Sequence, residues 1–241
     1  MGESGNDKVG IVTGGSRGIG RAVVEALAEE SWRLFFCSRS ERSVASAEAA
    51  LRERFGERIS GSAVDVRRQD EVDAFVAHVI SAAGKVDCLV NNAGLGTFAP
   101  VDELTGNAFR EVVETNLCGP FYFLRAVAPA MKRQGDGFIV NVGALAGKSA
   151  MAGGAAYNAS KFGLIGMSEA AMLDLRQHGV RVAAVLPGSV ETGFGGHGTG
   201  SADSWKLQPE DVAAAVLQLL SYPQRALPSL IELRPTRPPR K

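Results

Sequence analysis

Cysteine is scarce in this chain. There are three in 241 residues, Cys37, Cys88 and Cys118, an odd number without a close pair. That argues against a disulfide framework and against a cysteine-based zinc site. Cys37 and Cys88 fall in apolar, strand-like runs and read as buried thiols of an intracellular, cytoplasmic protein. Histidine is equally rare. His78, His178 and His197 are scattered with no ligand spacing, so no metal site is expected. An excess of either charge is also missing. Lys and Arg total 26 and Asp and Glu total 26, so nothing draws the chain to nucleic acid or to an anionic membrane. No apolar run is long enough to span a bilayer, and the polar stretch from Met1 to Lys8 lacks the apolar segment of a secretory signal.

What is present is an ordinary core-forming composition, 45% hydrophobic and 22% charged, enough to bury a sizeable interior. No composition break, repeat or low-complexity block divides residues 1–241, which read as one domain ending in a basic, proline-rich tail at 234–241. Strand and helix patterns alternate. Strands are expected at Val9–Thr13, Arg33–Ser38, Ile59–Val66, Val86–Asn91, Gly137–Val142, Val180–Leu186 and Leu230–Leu233. Helices are expected at Gly18–Glu30, Ser43–Phe55, Gln69–Ala83, Asn107–Arg133, Ala155–His178 and Pro209–Leu220. Gly119-Pro120 should bend or divide the long fourth helix. This alternation implies right-handed crossovers and a parallel sheet covered on both faces, an α/β, doubly wound architecture.

Thr13-Gly14-Gly15-Ser16-Arg17-Gly18-Ile19-Gly20 lies between the first strand and the first helix. A glycine-rich turn there lets backbone N–H groups approach a pyrophosphate at the helix N-terminus. The second strand ends Cys37-Ser38-Arg39, with no acid before Glu41. A carboxylate for a ribose 2′-hydroxyl is therefore absent, while Arg39 and Arg17 suit a 2′-phosphate, which favours NADP(H) over NAD(H). Asp65, ending the third strand with Val66, is placed to accept from an adenine amino group. Asn91-Asn92-Ala93-Gly94 ends the fourth strand; Asn91, Ala93 and Gly94 are cofactor candidates, and Asn92 either braces the sheet or lines the crevice. Tyr157 and Lys161, four residues apart, share one helix face just after a strand end. An ammonium beside a phenol favours the phenolate, so the lysine is expected to lower the tyrosine pKa.

These motifs, in this order, resemble the short-chain dehydrogenase/reductase family, most closely its 3-oxoacyl-(acyl-carrier-protein) reductases. The resemblance runs through Thr13–Gly20, Asp65, Asn91–Gly94, Asn116, Tyr157-x-x-x-Lys161 and Pro187-Gly188. It implies a Rossmann-type fold with a seven-stranded parallel sheet and a catalytic tetrad of Asn, Ser, Tyr and Lys. Tyr157 would be the general acid in reduction, and Lys161 would hold the nicotinamide ribose. Asn116, at the helix bend, would hold a water in the proton relay. Pro187, Gly188, Val190 and Thr192 would meet the nicotinamide end, and 193–205 would be the substrate-covering loop. The implied reaction is NADPH-dependent reduction of a 3-oxoacyl thioester or another ketone. The implied partners are further copies of the chain in a homotetramer and an acyl carrier protein, which Lys132, Arg133 and Arg176 could meet, although solvated helix-end charges are the favoured reading of those three.

One position departs from the pattern. The family serine that holds the substrate carbonyl is Ala144 here, in Asn141-Val142-Gly143-Ala144. A methyl group donates nothing to a developing alkoxide, so weakened turnover is expected. A deliberate Ser→Ala exchange and a natural low-activity variant are the two explanations, and the intact remainder of the motif set favours the exchange. A nucleotide-binding sensor or scaffold with little turnover is the rival reading from another functional class.

Overall fold

In the computed structural model, residues 8–192 and 205–238 are described. The expected substrate loop lies almost wholly outside them, as do the ends of the chain. Seven strands, β1 (Val9–Thr13), β2 (Arg33–Ser38), β3 (Ile59–Ala63), β4 (Cys88–Asn91), β5 (Gly137–Val142), β6 (Val180–Pro187) and β7 (Leu230–Leu233), form one sheet in the order β3-β2-β1-β4-β5-β6-β7. All pairings are parallel. Between β1 and β4 the order reverses direction, and that switch point opens a crevice at the carboxyl ends of the strands.

The helices are α1 (Gly18–Glu29), α2 (Glu41–Phe55), α3 (Gln69–Ala83), α4 (Gly106–Val113), α5 (Gly119–Gln134), α6 (Ala155–Leu175) and α7 (Pro209–Ser221). They cover both faces, which is why every residue of β1 is buried although its side chains alternate. Val12 and Phe36 enter one core with Val23, Leu27, Val212 and Leu219. Ile11 and Phe35 enter the other with Val72, Val79, Phe123 and Met131.

Three departures from expectation bear on the site. β3 stops at Ala63, not Val66. The Asp65 carboxylate accepts from the Arg67 amide at 3.0 Å, a local turn that ends the ladder, so Asp65 and Val66 lie beyond the strand. β4 starts at Cys88 because the Gln134 side chain, rather than a neighbouring strand, satisfies the amide and carbonyl of Val86 at 3.1 and 3.0 Å. The long helix is distorted one turn before Gly119-Pro120. Glu114–Cys118 form a π-helical turn in which the Gly119 amide reaches back to the Glu114 carbonyl. Pro120 brings no N–H for the carbonyl of Asn116, so the normal ladder fails there and the wider turn takes its place.

Candidate active site

The glycine loop folds tightly over the end of β1. Gly14 and Gly18 have φ of +67° and +55°, a left-handed backbone that favours glycine. A Cβ on Gly20 would lie 2.2 Å from the Gly14 carbonyl oxygen, so the first turn of α1 packs directly on the loop backbone. The Thr13 hydroxyl accepts from the amides of Asn92 and Ala93 at 3.0 and 2.9 Å. Asn92 Nδ2 donates to the Thr13 carbonyl at 3.0 Å, so Asn92 braces β1 against the β4 exit. At the start of α1, Arg17 is extended and exposed, makes no side-chain cap, and no acidic residue occupies the first turn. Ser16 is half-buried beside it, and Ile19 packs against the core. Val190 pairs with Leu207, and Thr192 lies across the loop, its Cγ2 3.3 Å from where a Gly18 Cβ would stand. The Gly188 amide donates to the Leu233 carbonyl at 2.8 Å, anchoring Pro187-Gly188 to β7.

The far end of the crevice is rimmed by charge. Ser38 Oγ is buried and finds no hydrogen-bond partner among the described residues. Arg39 is exposed and touches Glu111 only at 3.5 Å. The Asp65 carboxylate is engaged by Arg67, which donates from Nε at 2.9 Å and from Nη2 at 2.5 Å and holds the Asp65 pKa below its usual range. Arg67 also reaches Glu111 at 3.0 Å. Arg67 and Glu111 were not singled out from the sequence; the Asp-x-Arg spacing was the available signal for the first. Val66 packs against Gly119. Asn91 turns into the core, where Nδ2 donates to Asn141 Oδ1 at 2.9 Å and to the Pro120 carbonyl at 3.3 Å, while its own Oδ1 is buried without a hydrogen-bond partner among the described residues. The glycine cradle, the uncapped start of α1, the orphaned Ser38 hydroxyl and the two flanking arginines fit a dinucleotide with an extra phosphate.

Tyr157 and Lys161 lie on the first turns of α6, beside the end of β5. Lys161 is buried; its Nζ donates to the Val142 carbonyl at 2.9 Å and stands 5.8 Å from the centre of the Tyr157 ring. Burial pushes the Tyr157 phenol up to about 12 and the Lys161 ammonium down to about 8. This corrects the expected direction for the tyrosine. In the protein alone, the cost of burying a phenolate exceeds the attraction of a lysine that is itself poorly solvated.

Asn116 sits in the π-helical turn, fully buried. Its Nδ2 donates to the Leu95 carbonyl at 2.8 Å and to Ser160 Oγ at 3.1 Å, and its Oδ1 accepts from the Leu95 amide at 2.9 Å. Ser160 in turn donates to the Tyr157 carbonyl at 2.8 Å. Both amide donors of Asn116 are thus committed to holding the loop after β4 against the helix that carries Tyr157. Gly94 is pressed against this amide, with its Cβ position 3.3 Å from Asn116 Oδ1.

Ala144 follows β5 in an extended conformation and is buried. Ser149 is exposed, and its amide is spent on the Leu145 carbonyl at 3.1 Å. Asn158, next to Tyr157, braces this loop from three sides. Its Nδ2 donates to the carbonyls of Ala146 and Ser149 at 2.6 and 3.0 Å, and its Oδ1 accepts from the Met151 amide at 3.1 Å. Phe98 leans on Tyr157, ring centres 5.5 Å apart. The roles of Asn158, Ser160 and Phe98 carried no periodic or spacing signal and emerge only from the fold. Among the described residues, no group of three or more His, Cys, Asp or Glu side chains could hold a metal, and no helix is long and apolar enough to cross a membrane.

Residues 8–199 match the family model described as short chain dehydrogenase. A putative ketoacyl reductase of Streptomyces coelicolor is 40% identical over 189 residues, spanning 78% of this chain and 72% of that one. An alcohol dehydrogenase from the archaeon Thermococcus sibiricus, complexed with 5-hydroxy-NADP, superposes with a TM-score of 0.90 at 30% identity, covering 98% of this chain and 100% of that one. A metagenomic short-chain oxidoreductase in complex with NADP superposes with a TM-score of 0.84 at 35% identity, covering 98% and 100%.

Proposed function

The chain belongs to the short-chain dehydrogenase family, and from that premise we propose that it is an NADP(H)-dependent reductase of ketones. The observation that carries this reading is the buried Lys161 ammonium 5.8 Å from the half-buried Tyr157 ring at the end of β5, in a fold whose glycine turn after β1 is accompanied by Arg17 and Arg39. Bound NADPH supplies the hydride. Gly14, Ser16, Gly18 and Gly20 shape the turn that receives the pyrophosphate, and Ser38 and Arg39 meet the 2′-phosphate. Lys161 spends one N–H on Val142 and has two more donors for the nicotinamide ribose. Tyr157, a phenol protonated at neutral pH, gives its proton to the carbonyl oxygen.

The substrate we favour is a 3-oxoacyl thioester or a related carbonyl, in line with the ketoacyl reductase similarity; general ketones and alcohols are the alternative. Lys132, Arg133 and Arg176 are exposed at the ends of α5 and α6, on the amino-terminal edge of the sheet. An acidic acyl carrier protein bound to them would serve the site of a second copy. Phe109, Phe121, Phe162 and Leu173 leave apolar surface exposed on α4, α5 and α6, which supports assembly through these helices into a homotetramer. Turnover is weakened by Ala144, and that same residue favours a second reading, a natural NADPH-binding protein with little catalysis.

NADPH consumption with an acetoacetyl thioester and a panel of simple ketones tests the proposal. Tyr157→Phe should lower turnover by about 10²–10⁴-fold while NADPH still binds. Equal turnover in Tyr157→Phe would remove the proposed acid, and NADPH binding with no ketone reduced by the parent chain or by Ala144→Ser would favour the second reading.

A further inference from the structure

The two loops beside Tyr157 are nearly free of charge. Gly94–Pro100 contains no ionisable side chain, and Ala144–Gly154 contains only Lys148. Lys148 is occupied by Glu232 at 2.5 Å, so it offers little to a substrate carboxylate. In place of charge, the loops present two large apolar side chains. Phe98 is tilted 59° to the Tyr157 ring at 5.5 Å and remains 42% exposed, and Met151 is 49% exposed. Both are held in place. The Ala99 amide donates to the Gly153 carbonyl at 3.0 Å, joining the loops, and Asn158 fixes the Met151 amide at 3.1 Å. Ala144, which opens the second of these loops, likewise brings a methyl where a hydroxyl was expected.

A ring that already packs against the proton donor, and still exposes much of its area, is shaped for an apolar group attached directly to the carbonyl being reduced. We propose that the site selects ketones carrying a ring-sized apolar substituent on the reacting carbonyl, such as aryl ketones and aryl 3-oxo esters, over small or anionic ones. The inference rests on the ketone-reductase reading and narrows its substrate class.

Ethyl benzoylacetate and ethyl acetoacetate form a matched pair, differing only in phenyl or methyl on that carbonyl. The kcat/KM ratio of the phenyl to the methyl ester should fall about tenfold in Phe98→Ala, the scale of one aromatic contact. Phe98→Tyr, which keeps the ring, should retain the ratio. A ratio unmoved in Phe98→Ala overturns the inference.

Ligand-observed NMR in the presence of NADP+ gives a readout independent of turnover. Ethyl benzoylacetate should bind the parent chain more tightly than ethyl acetoacetate, and lose that advantage in Phe98→Ala. Equal binding of the two esters, or binding of neither, also overturns the inference. Selective binding of the phenyl ester with no NADPH oxidation, in the parent chain or in Ala144→Ser, would sink the reductase reading and leave the apolar subsite standing.

Discussion

On the β1–β2 side of Tyr157 the crevice is walled by backbone, and on the β5–α6 side by side chains. The first wall leaves almost no freedom: Gly14 and Gly18 need a left-handed backbone, and a Cβ on Gly20 would meet a carbonyl oxygen at 2.2 Å. The second wall is a set of loops cross-braced by Asn116, Ser160 and Asn158, with Phe98 leaning on the Tyr157 ring. A backbone wall serves any ligand with the same phosphates. A side-chain wall can change its substrate, or lose a donor, while its braces keep their shape.

The sharpest way to break this contrast is Gly20→Ala. The added carbon overlaps backbone that cannot move without opening the β1 turn. It should abolish NADPH binding in a fluorescence titration and lower stability by about 1–3 kcal/mol in thermal melts; retained binding would mean the loop is looser than its geometry implies. Arg39→Asp, at the rim of the same wall, should weaken NADPH by about 10–100-fold, the worth of a charge-assisted contact, with little effect on NADH. Competitive binding of the two cofactors measures this, and an unchanged preference would remove Arg39 from the cofactor site.

Where the walls meet, Lys161 makes stability depend on pH. Its pKa falls from 10.5 to about 8 on folding, so between those values the unfolded chain holds a proton that the folded chain has released. Stability of the parent chain should therefore rise through that window relative to Lys161→Met, by at most about 3 kcal/mol. Tyr157 acts oppositely: its rise from 10.0 to about 12 stabilises below pH 10 and is lost as pH climbs towards 12. Urea unfolding of both chains at pH 7, 9 and 10 reads the difference, and parallel curves would refute the buried ammonium. On the substrate wall the effect is expected on stability alone. Asn158→Ala removes the three hydrogen bonds of one brace. It should cost about 1–3 kcal/mol in stability, with NADPH affinity in the same titration unchanged. A drop in affinity would show the two walls to be coupled.

The contrast also explains what could be read from the chain before folding. Glycines at Gly14, Gly18 and Gly20 and the Tyr157–Lys161 spacing are local, so the tight turn after β1 and the shared helix face beside β5 were legible, as was the parallel sheet from its alternating periods. The β3 end was misplaced because a side-chain turn at Asp65 overrides an apolar run. The helix distortion was legible from Gly119-Pro120, because the missing N–H of Pro120 is felt one turn earlier, at Asn116, where the bend was expected. Phe98 and Asn158 act across loops separated in sequence, and no spacing rule encodes such contacts. The tyrosine pKa was expected to fall because charge proximity can be read from a helix pair, whereas burial cannot.

The central claim is that the site is complete for cofactor and proton and one donor short for the substrate oxygen. The most direct test is the kcat of Ala144→Ser against the parent chain with saturating NADPH and one reducible ketone. Restoring one donor to the developing alkoxide should raise kcat by about 10²–10³-fold with NADPH affinity unchanged. Equal kcat in the two chains would contradict the claim.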